Sequence, residues 1–274
     1  MQQLIHLHIL ASGSKGNAAL VEGPQGLVLI DCGISRRSLV DRAGELGVDP
    51  ARIVGAIFTH EHSDHVSGAS VFCRRFEGPL LATAGTIAAR DYLGRLPFEI
   101  VSHRDAFELA GMVVQTFPTS HDVADPFGLR FSVVDEDGVE VDALGWCTDT
   151  GRLTSAAREL LAGARILGIE ANHDVDMLAH GPYPAFLKAR VGGSFGHLSN
   201  AQCAEALPSL VSADTETVVA LHLSEKNNRP SIAIRTLAAA LDAEADNATF
   251  TRARTPDGRL TILAAGQDRP LSVW

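Results

Sequence analysis

Apolar and polar positions fall in short blocks along the chain, and the blocks switch between a period of two and helical spacing. LIHLHIL alternates and then turns apolar, which predicts a first strand before the turn-forming loop ASGSKGNA. ALVE and LVLIDCG follow; the second is a continuous apolar run ending at Asp31 and Gly33, the pattern of a buried strand. RRSLVDRAGELG has apolar residues at helical spacing between a serine N-cap, Ser35, and a glycine stop, Gly47. VGAIFTH predicts another buried strand, running into HEHSDHVSGASVFCRRF as a loop and a helix. PLLAT, a helix through TIAARDYL, and then FEIV, AFEL and GMVVQTFPTSHD continue the alternation. FGLRFSVVDEDGVEVDALGWCTDTG reads as a hairpin across Asp137-Gly138 that delivers Asp149. Beyond it, helices through LTSAARELLAG, NAQCAEALPSLV and SIAIRTLAAALDA separate the strands RILGIEANHD and TVVALHLS. A glycine-rich loop precedes His197, and a hairpin across PDG closes the chain. The strands are too many for one open parallel sheet. Interleaved with helices, they predict an α/β protein of two mixed β-sheets, an αββα four-layer sandwich, in a single domain over 1–274.

At 46% hydrophobic and 20% charged, the 274 residues are enough for a large buried core. No apolar run approaches a membrane span and the start lacks a signal-peptide pattern, so the expected compartment is the cytoplasm. The four cysteines, Cys32, Cys73, Cys147 and Cys203, form no CxxC pair, which predicts reduced, buried thiols. A net charge of −10 argues against an extensive basic nucleic-acid clamp but leaves room for a local site. Only three of the 23 basic residues are lysines, Lys15, Lys188 and Lys226, and each lies near a motif described below.

The chemistry concentrates in Thr59-His60-Glu61-His62-Ser63-Asp64-His65. Three histidines and an aspartate this close would each need a partner if buried, and divalent ions take such nitrogen and oxygen ligands. A turn after a strand can aim His60 and His62 at one ion and Asp64 and His65 at a second. The stretch resembles the HxHxDH motif of the metallo-β-lactamase superfamily, and the remaining motifs follow in order: Asp31, His121 in PTSHD, Asp149 in CTDTG and His222 in ALHLS. The resemblance implies two divalent ions. His60, His62 and His121 would hold one, Asp64, His65 and His222 the other, and Asp149 would bridge them, with Asp31 orienting the ligand loop. Such a pair lowers the pKa of a bound water and neutralises charge on a reacting group, which implies hydrolysis. Zinc is the expected metal, with manganese as the alternative.

Glu170 in EANHD, His197 in GHLSN and His222 in HLSEKNN resemble the phosphodiesterase branch that includes tRNase Z and the β-CASP nucleases. Together with SGSKGN and GPYP followed by LKAR, they make the chain similar to the YycJ/WalJ (VicX) family of 5′→3′ exonucleases. The interval from Asp149 to His222 is too short for a β-CASP domain, and no tRNA-clamping arm is evident. The likeness to tRNase Z supports Glu170 and His197 as a proton-donating pair, with Glu170 as an anchor for a metal histidine an equal alternative; Asp64 is the third candidate catalytic residue. His173 is a candidate support residue whose neighbours Asn172 and Asp174 suit a loop cap. Lys15, Asn17, Lys188, Ser224, Lys226, Asn227 and Asn228, with Arg190, form the expected phosphate-binding rim. His6, His8, His103 and His180 read as ordinary surface or turn histidines. The expected function is a dinuclear phosphodiesterase acting on DNA in preference to RNA, with no membrane partner. The alternatives are a thioester or lactone hydrolase of the glyoxalase II type and a metal-holding signalling scaffold.

Overall fold

The computed structural model describes residues 4–274. In chain order the strands are β1 (His6–Ala11), β2 (Ala18–Gly23), β3 (Gly26–Ile30), β4 (Ile53–Ile57), β5 (Leu80–Ala82), β6 (Phe98–Ile100), β7 (Ala106–Leu109) and β8 (Met112–Pro118). They continue with β9 (Phe127–Val134), β10 (Glu140–Cys147), β11 (Ile166–Glu170), β12 (Thr217–Leu221), β13 (Glu244–Ala245), β14 (Arg252–Arg254), β15 (Thr261–Ala264) and β16 (Leu271–Val273). The helices are α1 (Arg36–Glu45), α2 (Ser63–Val66), α3 (Ala69–Cys73), α4 (Ala84–Ala88), α5 (Ser155–Leu161), α6 (Val175–His180), α7 (Ala185–Val191), α8 (Asn200–Leu210) and α9 (Pro230–Ala239). The strands make two mixed sheets, of seven and nine strands, as the alternation of the sequence predicts.

Contacts divide the chain into two compact units. One comprises the chain up to Pro118, Val123–Ala143 and Gln267–Trp274; the other comprises Thr119–Asp122 and Leu144–Gly266. In the first, the sheet order is β16-β1-β2-β3-β4-β5-β6, antiparallel as far as β3 and parallel beyond it. Every residue of β3 is buried, and Leu27 and Leu29 join Leu10, Leu20, Phe58 and Phe72 in the core. Helix α1 starts where expected, with the Ser35 hydroxyl accepting from Ser38 N at 3.0 Å. The helix expected after His65 is broken into α2 and α3 at Gly68. A Cβ there would lie 2.0 Å from the Ile34 carbonyl, and the Gly68 N–H donates to Cys32 O at 2.8 Å. The chain bends to keep that contact.

In the second unit, the end of β10 pairs in parallel with β11, β11 with β12 and β12 with β15; β14 and β13 extend the sheet antiparallel. Ile166, Ile169, Val218, Val219, Leu221 and Ile262 are fully buried, together with Leu207, Ile234 and Leu237 of the helices. At roughly 1.5–3 kcal/mol for each fully buried large aliphatic side chain, this packing is the main force holding the strand ends in place. Two features lie outside the sequence reading. The segment before His197 contains α6 and α7 rather than loop alone, and β16 pairs with β1.

Among the described residues no helix is long and apolar enough to cross a membrane.

Candidate functional site

Two clusters of titratable side chains form, one in each unit. In the first, β3 and β4 run parallel and end side by side, with Asp31 N donating to Ile57 O at 2.8 Å. Asp31 adopts a left-handed φ of +58°, which turns its side chain back under the chain leaving β4. Its buried carboxylate accepts from Thr59 N and Thr59 Oγ1, each at 2.8 Å, and from His65 Nδ1 at 2.7 Å. Because the Thr59 hydroxyl donates to Asp31, it accepts from His60 Nδ1 at 3.1 Å. Both imidazoles therefore carry their proton on Nδ1 and leave Nε2 as a lone-pair donor. The amide of Asn17, which donates to His65 Nε2 at 3.0 Å and to Asp64 Oδ2 at 3.2 Å, fits that assignment. The His60 ring centroid lies 4.0 Å from that of His65 and 5.0 Å from that of His62. Gly33 closes the loop from behind, where a Cβ would fall 1.6 Å from the Asp64 carbonyl. Glu61, which the sequence reading did not use, points away from the rings: Oε1 accepts from Ala124 N at 2.8 Å, and its carbonyl accepts from Arg90 Nε at 3.1 Å.

In the second unit the strand ends again supply the functional side chains. Asp149 follows β10 with φ +53° and His222 follows β12 with φ +54°, while Glu170 is the last residue of β11. Left-handed backbone at non-glycine residues costs roughly 1–2 kcal/mol each. Its occurrence at three strand ends bearing acid or imidazole is the pattern of strain held at a functional site. Glu170 is fully buried and accepts four hydrogen bonds. Oε1 takes His197 Nδ1 at 2.8 Å and His222 Nδ1 at 2.9 Å; Oε2 takes Thr150 N at 2.9 Å and Leu198 N at 3.1 Å. Burial alone would raise its pKa, but the charge and hydrogen bond of His197 and the hydrogen bond of His222 outweigh it, holding the carboxyl well below the usual range. His121 donates Nδ1–H to Gly196 O at 2.9 Å. His121, His197 and His222 thus all present Nε2. The His197 ring lies 5.0 Å from His121 and 5.1 Å from His222, and Asp149 Oδ1 is 3.8 Å from His121 Nε2. Ligand atoms of Asp149, Glu170, His197 and His222 lie within 4.8 Å of one another.

Both clusters fit divalent ions by their donor chemistry. Metal-bound histidines characteristically donate the other ring N–H to a carboxylate or carbonyl, which fixes the tautomer, and His65, His121 and His222 do so here. His60 reaches the same tautomer through the Thr59 hydroxyl.

The expected rim separates by burial. Lys15 and Lys226 are exposed, whereas Asn17, Ser224, Asn227 and Asn228 are buried. The Asn228 amide donates to Ala171 O, Asn172 O and Asn200 Oδ1, and its oxygen accepts from Asn200 Nδ2, so it ties the segments bearing Glu170 and His197 together. Asn172 Nδ2 donates to His222 O at 2.8 Å. Lys188 Nζ donates to Ala179 O at 2.7 Å near the end of α6, and Arg190 forms an ion pair with Asp122 beside His121. Asp174 caps α6 through Met177 N, and burial lowers the pKa of His173 to about 4.

Residues 11–222 match the metallo-beta-lactamase superfamily. The chain belongs to the metallo-β-lactamase superfamily. Its relatives include the exodeoxyribonuclease YycJ of Bacillus anthracis, 32% identical over 84% of this chain and 86% of that protein. The exodeoxyribonuclease WalJ of Streptococcus pneumoniae is 33% identical over 87% of this chain and 88% of that protein. The crystal structure of a diphosphatase from the PhnP family superposes with a TM-score of 0.65 at 19% identity, covering 100% of this chain and 98% of that one. That likeness shows the metallo-β-lactamase fold, the αββα sandwich expected from the sequence. Superfamily membership and the two His/Asp clusters mark the chain as a binder of divalent metal.

Proposed function

We propose that this protein is a metal-dependent phosphodiesterase that degrades DNA from an end, the activity for which its curated relatives are named. The observation that carries the reading is the Glu170 carboxylate, one oxygen of which holds both His197 and His222. The two alternatives for Glu170, anchor of a metal histidine and partner of a proton donor, are thereby compatible. Following the order of the motifs, His60, His62 and His121 would hold one ion and Asp64, His65 and His222 the second, with Asp149 serving both. The imidazole-rich donor set favours zinc, with manganese as the alternative. When bound, the ions supply Lewis acidity and a water of near-neutral pKa.

The chain's own residues do the rest. Asp31 and Glu170 fix the imidazole tautomers. His197, its Nδ1–H held on Glu170, carries a second proton on Nε2 and donates it to the departing 3′-oxygen, leaving a 5′-phosphate on the product. Lys15, Lys188 and Lys226 are the candidate phosphate contacts, and the buried Asn17, Ser224, Asn227 and Asn228 hold the loops that carry the ligands in their own units. His173, buried, supports the site through its backbone, its carbonyl accepting from Asn200 N at 2.8 Å. The superfamily match runs through both compact units, which supports one domain over 1–274. Four free, buried cysteines suit a reducing compartment, the cytoplasm.

The test is a 5′-phosphorylated, labelled oligonucleotide offered to protein loaded with Zn²⁺ or Mn²⁺, alongside thioester and lactone substrates. The expected result is stepwise DNA degradation that stops on chelation, with His197→Gln slowing turnover while metal content is kept. Rapid thioester turnover without cleavage of DNA overturns the reading.

A further inference from the structure

Of the eleven phenylalanines, all but two are buried or half-buried. The exceptions, Phe186 at 75% exposure and Phe195 at 58%, fall within the same short stretch just before His197. Phe186 lies on α7, a helix with no buried residue, together with Lys188 and Arg190. From Met177 to Ala204 the chain carries no aspartate or glutamate, its longest acid-free run in a sequence of net charge −10.

The loop bearing Phe195 is held tightly although its ring faces solvent. His197 N donates to Val191 O and Gly196 N to Gly193 O, both at 2.9 Å. A Cβ on Gly196 would lie 2.2 Å from the Arg190 carbonyl, so the loop sits directly on the end of α7. The carbonyls on either side of Phe195 are both engaged: Ser194 O accepts from Ser120 Oγ at 2.8 Å, and Gly196 O accepts from His121 Nδ1 at 2.9 Å. The backbone that orients His121 therefore also fixes the position of Phe195. A rigid, exposed aromatic side chain loses little freedom on binding and has no packing role in the free protein.

We propose that Phe186 and Phe195 form a stacking platform for unpaired nucleobases, which selects a single-stranded DNA end and feeds it toward His197. The inference rests on the nucleolytic reading above. Nucleobases present apolar faces on an anionic backbone, and this segment offers two exposed aromatic rings, one on the helix that carries Lys188 and Arg190, the latter ion-paired with Asp122. Stacking needs a base free of its partner, so the platform distinguishes single strands from blunt duplex.

The experiment measures binding by metal-loaded protein of a phosphorothioate-linked single strand carrying 2-aminopurine near its 5′ end, at fixed salt. Phe195→Ala and Phe186→Ala are each expected to weaken single-strand binding roughly tenfold or more and to reduce the quenching of 2-aminopurine. Phe195→Trp restores both signals. Replacing the bases near the 5′ end by abasic sites removes the difference between wild type and the alanine variants. Hydrolysis of methyl p-nitrophenyl phosphate stays at the wild-type rate. Wild-type protein that cleaves the natural strand, with alanine variants that bind and quench like wild type, overturns the platform and leaves the nuclease reading intact. Wild-type protein that neither binds nor cleaves any oligonucleotide removes the nuclease reading and the platform with it. Variants that differ from wild type only in sedimenting as monomer instead of dimer identify the patch as a self-association surface, which also overturns the platform.

Discussion

Replacing Glu170 by glutamine keeps its shape and removes its charge. The carboxylate accepts four hydrogen bonds, from Thr150 N, Leu198 N, His197 Nδ1 and His222 Nδ1. The glutamine oxygen can keep two of them, while its amide nitrogen faces the other two donors. If the amide faces the backbone pair, two buried N–H groups lose their acceptor. If it faces the imidazoles, both rings must move their proton from Nδ1 to Nε2 to accept it, and His222 loses the lone pair it would give a metal. Losing two charge-assisted bonds at about 1.5–3 kcal/mol each, offset by no longer burying a charge, gives a net cost of about 2–4 kcal/mol. For a chain of this size that is a fall in Tm of roughly 5–10 °C. Loss of a partner that orients a metal histidine lowers metal affinity by about 10–100-fold. Urea unfolding of the metal-free variant reads the first quantity, and a competitive chelator titration with Zn²⁺ reads the second. A variant with the wild-type unfolding midpoint and the wild-type zinc affinity would show that Glu170 neither stabilises the site nor orients His222.

Asp31→Asn keeps a residue tolerant of the left-handed backbone but cannot accept all three hydrogen bonds: with its oxygen toward the Thr59 hydroxyl and His65 Nδ1, its amide nitrogen faces the Thr59 N–H. It should lower stability by about 2–4 kcal/mol and deplete metal by mass spectrometry; full metal occupancy with unchanged unfolding would contradict this. Burial raises the pKa of all four thiols, to about 12 for Cys32 and Cys73. A thiol reagent at pH 8 should therefore label no cysteine in the native protein and all four in denaturant, and a fast-reacting native thiol would contradict their burial. His173 has a folded pKa of about 4 against an ordinary value of 6.5, so the folded state resists its protonation. The stability this represents is complete above pH 6.5 and is lost as pH falls through about 4, by at most about 3 kcal/mol. His173→Gln should flatten the wild-type decline in unfolding free energy over that window; parallel curves would rule His173 out as its source.

The ligand loop was legible because its residues are adjacent: His60, His62, Asp64 and His65 follow one buried strand, and both strand and loop have strong local patterns. Glu170 was legible as a strand-end carboxylate, but its double hold on His197 and His222 joins residues 27 and 52 positions away, which no local pattern encodes. The same applies to the contact of Asn17 with His65, where a residue placed in the rim proves to be buried against a histidine ring. Helices α6 and α7 were missed for a physical reason. The first buries only Leu178 and the second buries nothing, so neither has an apolar stripe to read. The left-handed turns at Asp31, Asp149 and His222 fall on residues other than glycine and carry no compositional mark. Phe186 and Phe195 look like any other apolar residues until their exposure is known.

Hydrolysis of DNA by this His/Asp constellation with divalent metal can be observed directly. The most direct measurement is the time course of a 5′-phosphorylated, 3′-labelled single strand with metal-reconstituted wild type and with His62→Ala. The expected result is progressive loss of full-length strand, with mononucleotides bearing a 5′-phosphate, that ceases with chelator and is absent in the variant. Full-length strand persisting under both Zn²⁺ and Mn²⁺, or cleavage that continues at the wild-type rate in His62→Ala, would contradict it.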